Sequence, residues 1–268
     1  MHNKDLYTSN LMEKKYLLYI DILGFSKLVE DDYKMVDELY KILNQINAHY
    51  HPVFHVICFS DTLLVYNVID PVNIHDVRNC VQYLIEFVRD LMFRLAKHEI
   101  NFRAVIVFDE FKHYYRDKIE CFYGNSLIRC YKFEKQINGM GLFIDKTLTN
   151  IISSMPIQKY DENLDFVSLL FSLNSISKHY PNHCQSNFPK ELIDNSDEFM
   201  SIKIEIKILK HIHNNSINNS NPKIRSKYLQ TYQLYKNIYG ELLIYLEKSN
   251  FELKSISLDA KWSLLSDY

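Results

Sequence analysis

The sequence predicts a mixed α/β fold of the α+β type: a ferredoxin-like core whose central, mostly antiparallel sheet is flanked by helices, with a helical appendage at the C-terminal end. Three observations support this prediction. Short β-rich runs alternate with longer segments of helical spacing in the order β-α-β-β-α-β-α-β. Two of the runs meet at a turn and predict a hairpin. The last part of the chain contains two long helical segments separated by a polar stretch.

The first strand and the hairpin are the clearest elements. Residues 16–23, YLLYIDIL, form a short apolar run interrupted by one acid, which is typical of a buried strand. Gly24 ends that strand, and apolar residues then recur at helical spacing from Phe25 to about residue 50. Residues 53–67, VFHVICFSDTLLVYN, predict two strands that meet at a tip carrying Asp61.

The later segments follow the same two patterns. A polar connection is predicted over roughly 112–121 and a polar connector over 213–222. Strands are predicted over 101–109, 141–145 and 164–173, and helices over 73–98, 124–137, from Lys146 onward, 196–213 and 223–248. We interpret residues 1–175 as one core domain and residues 176–268 as a helical extension packed on it.

Composition restricts the class of protein. The 268 residues are 47% hydrophobic, which suffices for one sizeable core, and the formal net charge is −2. Such a balance gives no broad basic field for nucleic acid or an anionic membrane, and no apolar run is long enough to span a bilayer. The five cysteines are an odd number without a C-x-x-C pair, so we expect free thiols in a reducing cytoplasm. No signal peptide is expected.

Two acids stand in strand contexts that should be apolar. Asp21 lies within YLLYIDILGFS, and Asp61 lies between VICFS and TLLVY. A buried carboxylate is costly unless it is paired, hydrogen-bonded or bound to a metal. In a β-α-β-β arrangement the two acids can be neighbours, and Mg²⁺ or Mn²⁺ would relieve their repulsion. The alternative is that Asp61 is a turn residue and Asp21 accepts backbone N–H bonds.

Four segments in order carry a resemblance to a known family. They are YIDILGFSKLVE, FSDTLLVY, FRAVIVFDEF and FYGNSLIRCYKFEKQIN, and together they resemble the class III nucleotide cyclases. The F-R-x-x-I, Y-G-x-x-L and C-Y-x-x-E pattern is most similar to the pyrimidine cyclases of the Pycsar antiphage systems. The terminal segment KIRSKYLQTYQLYKNIY also resembles that group. The resemblance implies conversion of UTP or CTP to a 3′,5′-cyclic nucleotide second messenger.

The resemblance implies a role for each matching residue. Asp21 and Asp61 correspond to the acids that hold two Mg²⁺ or Mn²⁺ ions per site, and the Ile22 carbonyl corresponds to a further metal ligand. Arg103 corresponds to a strand arginine that stabilises charge on the triphosphate. The implied cradle for the β- and γ-phosphates consists of the backbone N–H groups of Leu23, Gly24, Phe25 and Ser26.

Other positions depart from the purine-specific members of the family. Ile57 replaces a base-reading lysine and Cys121 a base-reading acid, which predicts a pyrimidine base contacted by other groups such as Tyr123. Ile128 replaces the family's asparagine. Lys132 replaces its catalytic arginine and keeps the charge without the bidentate fork. The alternative is a catalytically degenerate domain that binds a nucleotide or a partner.

The family also implies an assembly. Its sites form between two chains, so we expect a C₂ homodimer with the metal acids from one chain and the helix and strand residues, including Arg103, from the other. We expect no nucleic-acid or membrane partner. The histidines His51, His55, His211 and His213 show no zinc-ligand spacing, and we interpret them as packed or solvated side chains.

Overall fold

The computed structural model describes residues 12–152, 154–179 and 196–256. Within these ranges the strands are β1 (Lys14–Ile22), β2 (Phe54–Phe59), β3 (Thr62–Asn67), β4 (Phe102–Glu110), β5 (Lys112–Arg116), β6 (Ile119–Tyr123), β7 (Gly141–Asp145), β8 (Ile157–Lys159) and β9 (Leu164–Val167). The helices are α1 (Phe25–Asp31), α2 (Tyr33–Asn44), α3 (Ile74–Ala96), α4 (Asn125–Gln136), α5 (Phe171–His179), α6 (Ser196–Asn218) and α7 (Pro222–Lys248). Short 3₁₀ turns span Asn47–Tyr50, Lys146–Ile152 and Leu253–Ser255.

Seven strands form one sheet in the order β2-β3-β1-β4-β7-β9-β8, and β5 and β6 pair separately. Neighbouring strands in the large sheet are antiparallel except for the parallel pair β4 and β7. The order β2-β3-β1-β4, with helices before β2 and before β4, is the ferredoxin-like arrangement. The predicted fold class is therefore confirmed.

The centre of the sheet is covered on both faces. Strand β1 is buried from Lys15 to Ile20, because helix α3 packs on one face and helix α4 on the other. Tyr16 on the first face lies near Cys80 of α3, whereas Tyr19 on the second lies near Cys130 of α4. This arrangement explains why YLLYI is continuously apolar and does not alternate.

The C-terminal helices pack on the same hydrophobic core. The Thr231 hydroxyl on α7 accepts the Met140 N–H (2.8 Å), and the Tyr239 hydroxyl donates to the Leu170 carbonyl (3.1 Å). The predicted domain boundary at residue 175 falls within helix α5. No helix in the described part of the chain combines the length and hydrophobicity that crossing a membrane requires.

Several predicted boundaries were wrong for local reasons. The polar connection over 112–121 is mostly the β5–β6 hairpin, whose exposed residues gave it a loop-like composition. The first long helix is two helices, because Asp32 leaves the helical conformation and accepts the Met35 N–H (3.0 Å) as the cap of α2. Helix α6 continues through much of the polar 213–222 connector. The strand predicted over 164–173 ends at Val167, and the sequence did not indicate β8 or α5.

Candidate active site

Asp21 lies at the end of β1 between two neighbouring strands. Its Cα is paired with Thr62 of β3 on one side and with Arg103 of β4 on the other. The side chain is only partly exposed, on the face of the sheet that α4 covers. The strand therefore ends by placing a carboxylate where the sheet and a helix meet.

Asp61 occupies the tip of the β2–β3 hairpin, as predicted. The two-residue turn is formed by Ser60 and Asp61, and Ser60 takes a left-handed conformation with φ 52°. The Ile22 N–H donates to the Asp61 carbonyl (2.9 Å), which joins the hairpin tip to the end of β1. The Tyr40 hydroxyl on α2 donates to the Ser60 carbonyl (3.0 Å) and holds the tip from the outside. The fold thus brings the two acids together across adjacent strand ends.

The surroundings of Asp21 disfavour its negatively charged form. The pKa of Asp21 is raised to about 6, chiefly by burial and then by the nearby carboxylates of Glu134 and Asp61, against the opposing charges of Arg103 and Lys227. A bound divalent cation would offset both the burial and the repulsion. The donors are carboxylate oxygens with a neighbouring backbone, which fit Mg²⁺ or Mn²⁺.

Arg103 lies beside Asp21 of its own chain. It is 4% exposed, its Nε donates to the Gly139 carbonyl (3.2 Å), and its Nη1 donates to the Glu134 carbonyl (2.7 Å) and to the Glu134 carboxylate. The expectation that a partner chain supplies Arg103 to these acids was wrong, because β1 and β4 are adjacent strands of one sheet. Most of the hydrogen bonds of the guanidinium are therefore made within the chain.

The β1–α1 turn follows directly after the acid. Gly24 has φ 81°, a left-handed conformation that glycine adopts without strain, and it opens helix α1. Leu23 differs from the expectation for a phosphate cradle, because its N–H donates to the Asn101 carbonyl (2.9 Å). The amides of Gly24, Phe25 and Ser26 stand at a helix start, where the first N–H groups have no intrahelical partner.

The residues expected to contact the base, and Lys132, do not lie beside Asp21 within one chain. Cys121 and Tyr123 share the outer face of the β5–β6 hairpin, opposite the face on which Phe122 contacts Phe59 of β2 (ring centroids 5.6 Å apart). Lys132 is exposed on α4. Within one chain the structure does not bring these side chains to Asp21.

The expectation that Ile57 lies at the base-binding site was wrong. Its side chain is 4% exposed and belongs to the hydrophobic core. It shares a strand face with His55 and Phe59, and both of those rings contact the β5–β6 hairpin, so Ile57 is buried beneath that hairpin. In this chain Ile57 is a packing residue and offers no surface to a base.

Two charged residues of the site were not identified from the sequence. Glu134 contacts Arg103 and raises the pKa of Asp21, and it is the acid of the C-Y-x-x-E motif. Lys227 comes from α7; burial lowers its pKa, as does Arg103, while Asp21 and Glu134 raise it. Both lie in segments that carried the family resemblance, but their positions depend on how α4 and α7 pack on the sheet.

No protein-family model matches the chain, and no curated protein matches it. Solved structures with a similar fold include the adenylyl cyclase CyaB from P. aeruginosa, at 14% identity and TM-score 0.44, with 59% of this chain and 95% of that chain covered.

Two further structures are similar over the same extent. The monomeric guanylyl cyclase domain of the RhoGC fusion protein from Blastocladiella emersonii has 16% identity and TM-score 0.42, with coverage of 58% of this chain and 95% of that chain. The adenylate/guanylate cyclase/hydrolase from Silicibacter pomeroyi has 16% identity and TM-score 0.39, with coverage of 59% and 95%. All three TM-scores lie below 0.5, so an activity has to be argued from the residues of the site.

Proposed function

We propose that this protein is a metal-dependent nucleotide cyclase that converts UTP or CTP to a 3′,5′-cyclic nucleotide and diphosphate. The proposal rests on the position of Asp21 beside Asp61. The end of β1 is joined to the hairpin tip by the hydrogen bond from the Ile22 N–H to the Asp61 carbonyl (2.9 Å). A fold gains nothing in stability from two such carboxylates side by side, whereas a site for divalent cations needs them. The family resemblance of the surrounding motifs gives this cation site its substrate class.

The reaction forms a bond between the ribose 3′ oxygen and the α-phosphorus and breaks the bond to diphosphate, and the hydroxyl proton is lost. Mg²⁺ or Mn²⁺ supplies the charge that acidifies the hydroxyl and stabilises the phosphates. Asp21, Asp61 and the Ile22 carbonyl hold the cations. The amides of Gly24, Phe25 and Ser26 receive the β- and γ-phosphates.

A second copy of the chain completes the proposed site. The outer face of the β5–β6 hairpin and the exposed face of α4 carry an unusual number of exposed apolar side chains, which favours a protein interface. They are Tyr114, Ile119, Tyr123, Ile128 and Tyr131. A C₂ homodimer buries this surface and brings Cys121, Tyr123 and Lys132 of one chain towards the acids of the other. Sedimentation should give a dimer in the active preparation, and a fully active monomer would contradict this part of the proposal.

The proposed base preference rests on Ile57 and on the side chains that the β5–β6 hairpin presents. Ile57 is buried in the core, and Cys121 is at most a weak donor or acceptor, so the pair that reads a purine edge in related enzymes is missing. Tyr123 is 45% exposed on the outer face and retains a hydroxyl for a smaller base. A cyclic pyrimidine nucleotide is suited to a signalling role, and we include defence against phage in the proposal on the strength of the motif resemblance alone.

The test is incubation with each of four labelled nucleoside triphosphates, with Mn²⁺ and with Mg²⁺, followed by separation of the products. Cyclic UMP or cyclic CMP with an equal amount of diphosphate is expected from the wild-type chain and not from Asp61→Asn. Efficient formation of cyclic AMP or cyclic GMP would refute the pyrimidine assignment. Plaque counts of bacteria with and without the active protein test the defence role.

A second candidate is a degenerate domain that binds a nucleotide without turnover. The contacts of Arg103 favour it, because a guanidinium bound to Glu134 and the Gly139 carbonyl is not free to reach a triphosphate. A confirmed dimer that binds UTP or CTP but releases no diphosphate with either cation would support this candidate and exclude the first.

A further inference from the structure

Three side chains meet at the far end of the β2–β3 hairpin from Asp61. His55 of β2 and His113 of β5 have ring centroids 5.0 Å apart, and His113 Nε2 lies 3.0 Å from the Glu120 carboxylate of β6. One ligand atom from each residue lies within 4.8 Å of the other two. We call this group the His–His–Glu cluster. Histidine nitrogens with one carboxylate form a donor set that suits zinc.

The cluster has a buried side and an open side. The His113 side chain is 6% exposed, whereas that of Glu120 is 38% exposed. Two imidazoles and one carboxylate provide three ligands, and the open side leaves room for water as a fourth. Three protein ligands and one water make up the usual four-coordinate zinc site with an open position.

Each end of the cluster is oriented by a tyrosine. The Tyr66 hydroxyl lies 2.7 Å from His113 Nδ1, and the Tyr115 hydroxyl donates to the Glu120 carboxylate (3.2 Å). If His113 donates from Nδ1 to Tyr66, its Nε2 and the Glu120 carboxylate are two acceptors 3.0 Å apart, and a cation bound to both would satisfy them. Metal-binding histidines and carboxylates are usually held by such outer hydrogen bonds.

We propose that the His–His–Glu cluster binds one Zn²⁺ ion and thereby fastens the β5–β6 hairpin to the main sheet. His55 belongs to the sheet, whereas His113 and Glu120 belong to the hairpin, so one ion would join the two. The Phe59–Phe122 contact further along the same strands also joins the sheet to the hairpin. The sequence did not indicate this site, because 58 positions separate the two histidines. The proposal is independent of the cyclase proposal, since it involves neither Asp21 nor Asp61.

Cobalt titration of the full-length chain tests the proposal. The Asp21→Asn/Asp61→Asn double variant, freed of metal by a chelator, removes the other candidate cation site from the measurement. One equivalent of Co²⁺ should produce the visible absorption of a four-coordinate nitrogen and oxygen site, and Zn²⁺ should displace it. No stoichiometric binding, or a thiolate-to-cobalt band showing cysteine ligation, would overturn the assignment.

Substitutions in the same background locate the ligands. Glu120→Gln and His113→Gln should each weaken zinc binding by more than about 100-fold, and Tyr66→Phe by about 10- to 100-fold. His75→Gln, an exposed histidine on α3, should leave the affinity unchanged. Zinc should also raise the melting temperature of the parent chain but not that of Glu120→Gln. Equal affinity in Glu120→Gln and the parent would show that the cluster is only a hydrogen-bonded contact.

Discussion

Arg103 provides the sharpest test of how the site is built, because its role in the fold can be separated from any role in catalysis. We consider Arg103→Met, which keeps an unbranched side chain of similar length and removes the charge. In the native chain the Arg103 side chain is 5% exposed, and its guanidinium donates to the Gly139 carbonyl, the Glu134 carbonyl and the Glu134 carboxylate. The variant leaves all three acceptors without their donor.

The expected loss of stability follows from those contacts. The Glu134 side chain is 16% exposed, so its carboxylate is left mostly buried, unpaired and close to Asp21. Breaking a buried ion pair by removing one partner typically destabilises a protein by about 3–5 kcal/mol. Adding Glu134→Gln to Arg103→Met should recover about 1–3 kcal/mol, because the second change removes the stranded charge.

Urea unfolding followed by far-ultraviolet circular dichroism measures the effect. With a slope of up to about 3 kcal/mol/M, the midpoint of Arg103→Met should fall by at least about 1 M. Arg78→Met, at an exposed position on α3, is the matched control and should move the midpoint little. A midpoint for Arg103→Met that equals that of the control would refute the conclusion that Arg103 is held within the fold.

Two further predictions concern stability. Glu205 is fully buried on α6, and its pKa is raised to about 7, mainly by burial, from the ordinary glutamate pKa of 4.5. The folded state therefore keeps this proton to higher pH than the unfolded state, and the stability it contributes is lost as pH rises from about 4.5 to 7. Relative to Glu205→Gln, the wild type should lose about 2–3 kcal/mol of unfolding free energy between pH 5 and 8, and parallel curves would contradict this. A Cβ on Gly124, where φ is +152°, would lie 2.1 Å from the Glu110 carbonyl oxygen, whereas one on Gly24 meets nothing within 4 Å. Gly124→Ala should lower the urea midpoint more than Gly24→Ala, which should lose only about 1–2 kcal/mol, and equal midpoints would show that the backbone relaxes.

The sequence predicted the central elements because each carries a local signal. The apolar run around Asp21 and the turn at Asp61 are visible in a few residues, and the pairing of the two follows from the predicted strand order. The β5–β6 hairpin carries no such signal, because much of its surface is exposed and its residues resemble a loop. Helix α6 extends through Asn-rich residues because packing against α7 outweighs their weak helix propensity.

The electrostatic partners of the site could not be predicted in the same way. Glu134 and Lys227 reach Asp21 only because α4 and α7 pack against one end of the sheet, and no spacing in the sequence encodes that approach. The register that places Arg103 beside Asp21 depends on the pairing of β1 with β4 across 82 positions. These are long-range consequences of the fold, whereas hydrophobic periodicity reports only on neighbours along the chain.

The central claim, that Asp21 and Asp61 hold the cations of a nucleotide cyclase, is tested most directly by measuring cyclic nucleotide formation in Asp21→Asn and Asp61→Asn beside the wild type. Asp37→Asn, at an exposed position on α2, is the matched control, and all variants should unfold at similar urea concentrations. We predict that the wild type and Asp37→Asn turn over UTP or CTP with Mn²⁺, and that each of the other two loses at least about 100-fold in rate, equivalent to about 2.7 kcal/mol of transition-state stabilisation. Wild-type rates in both Asp21→Asn and Asp61→Asn would contradict the claim.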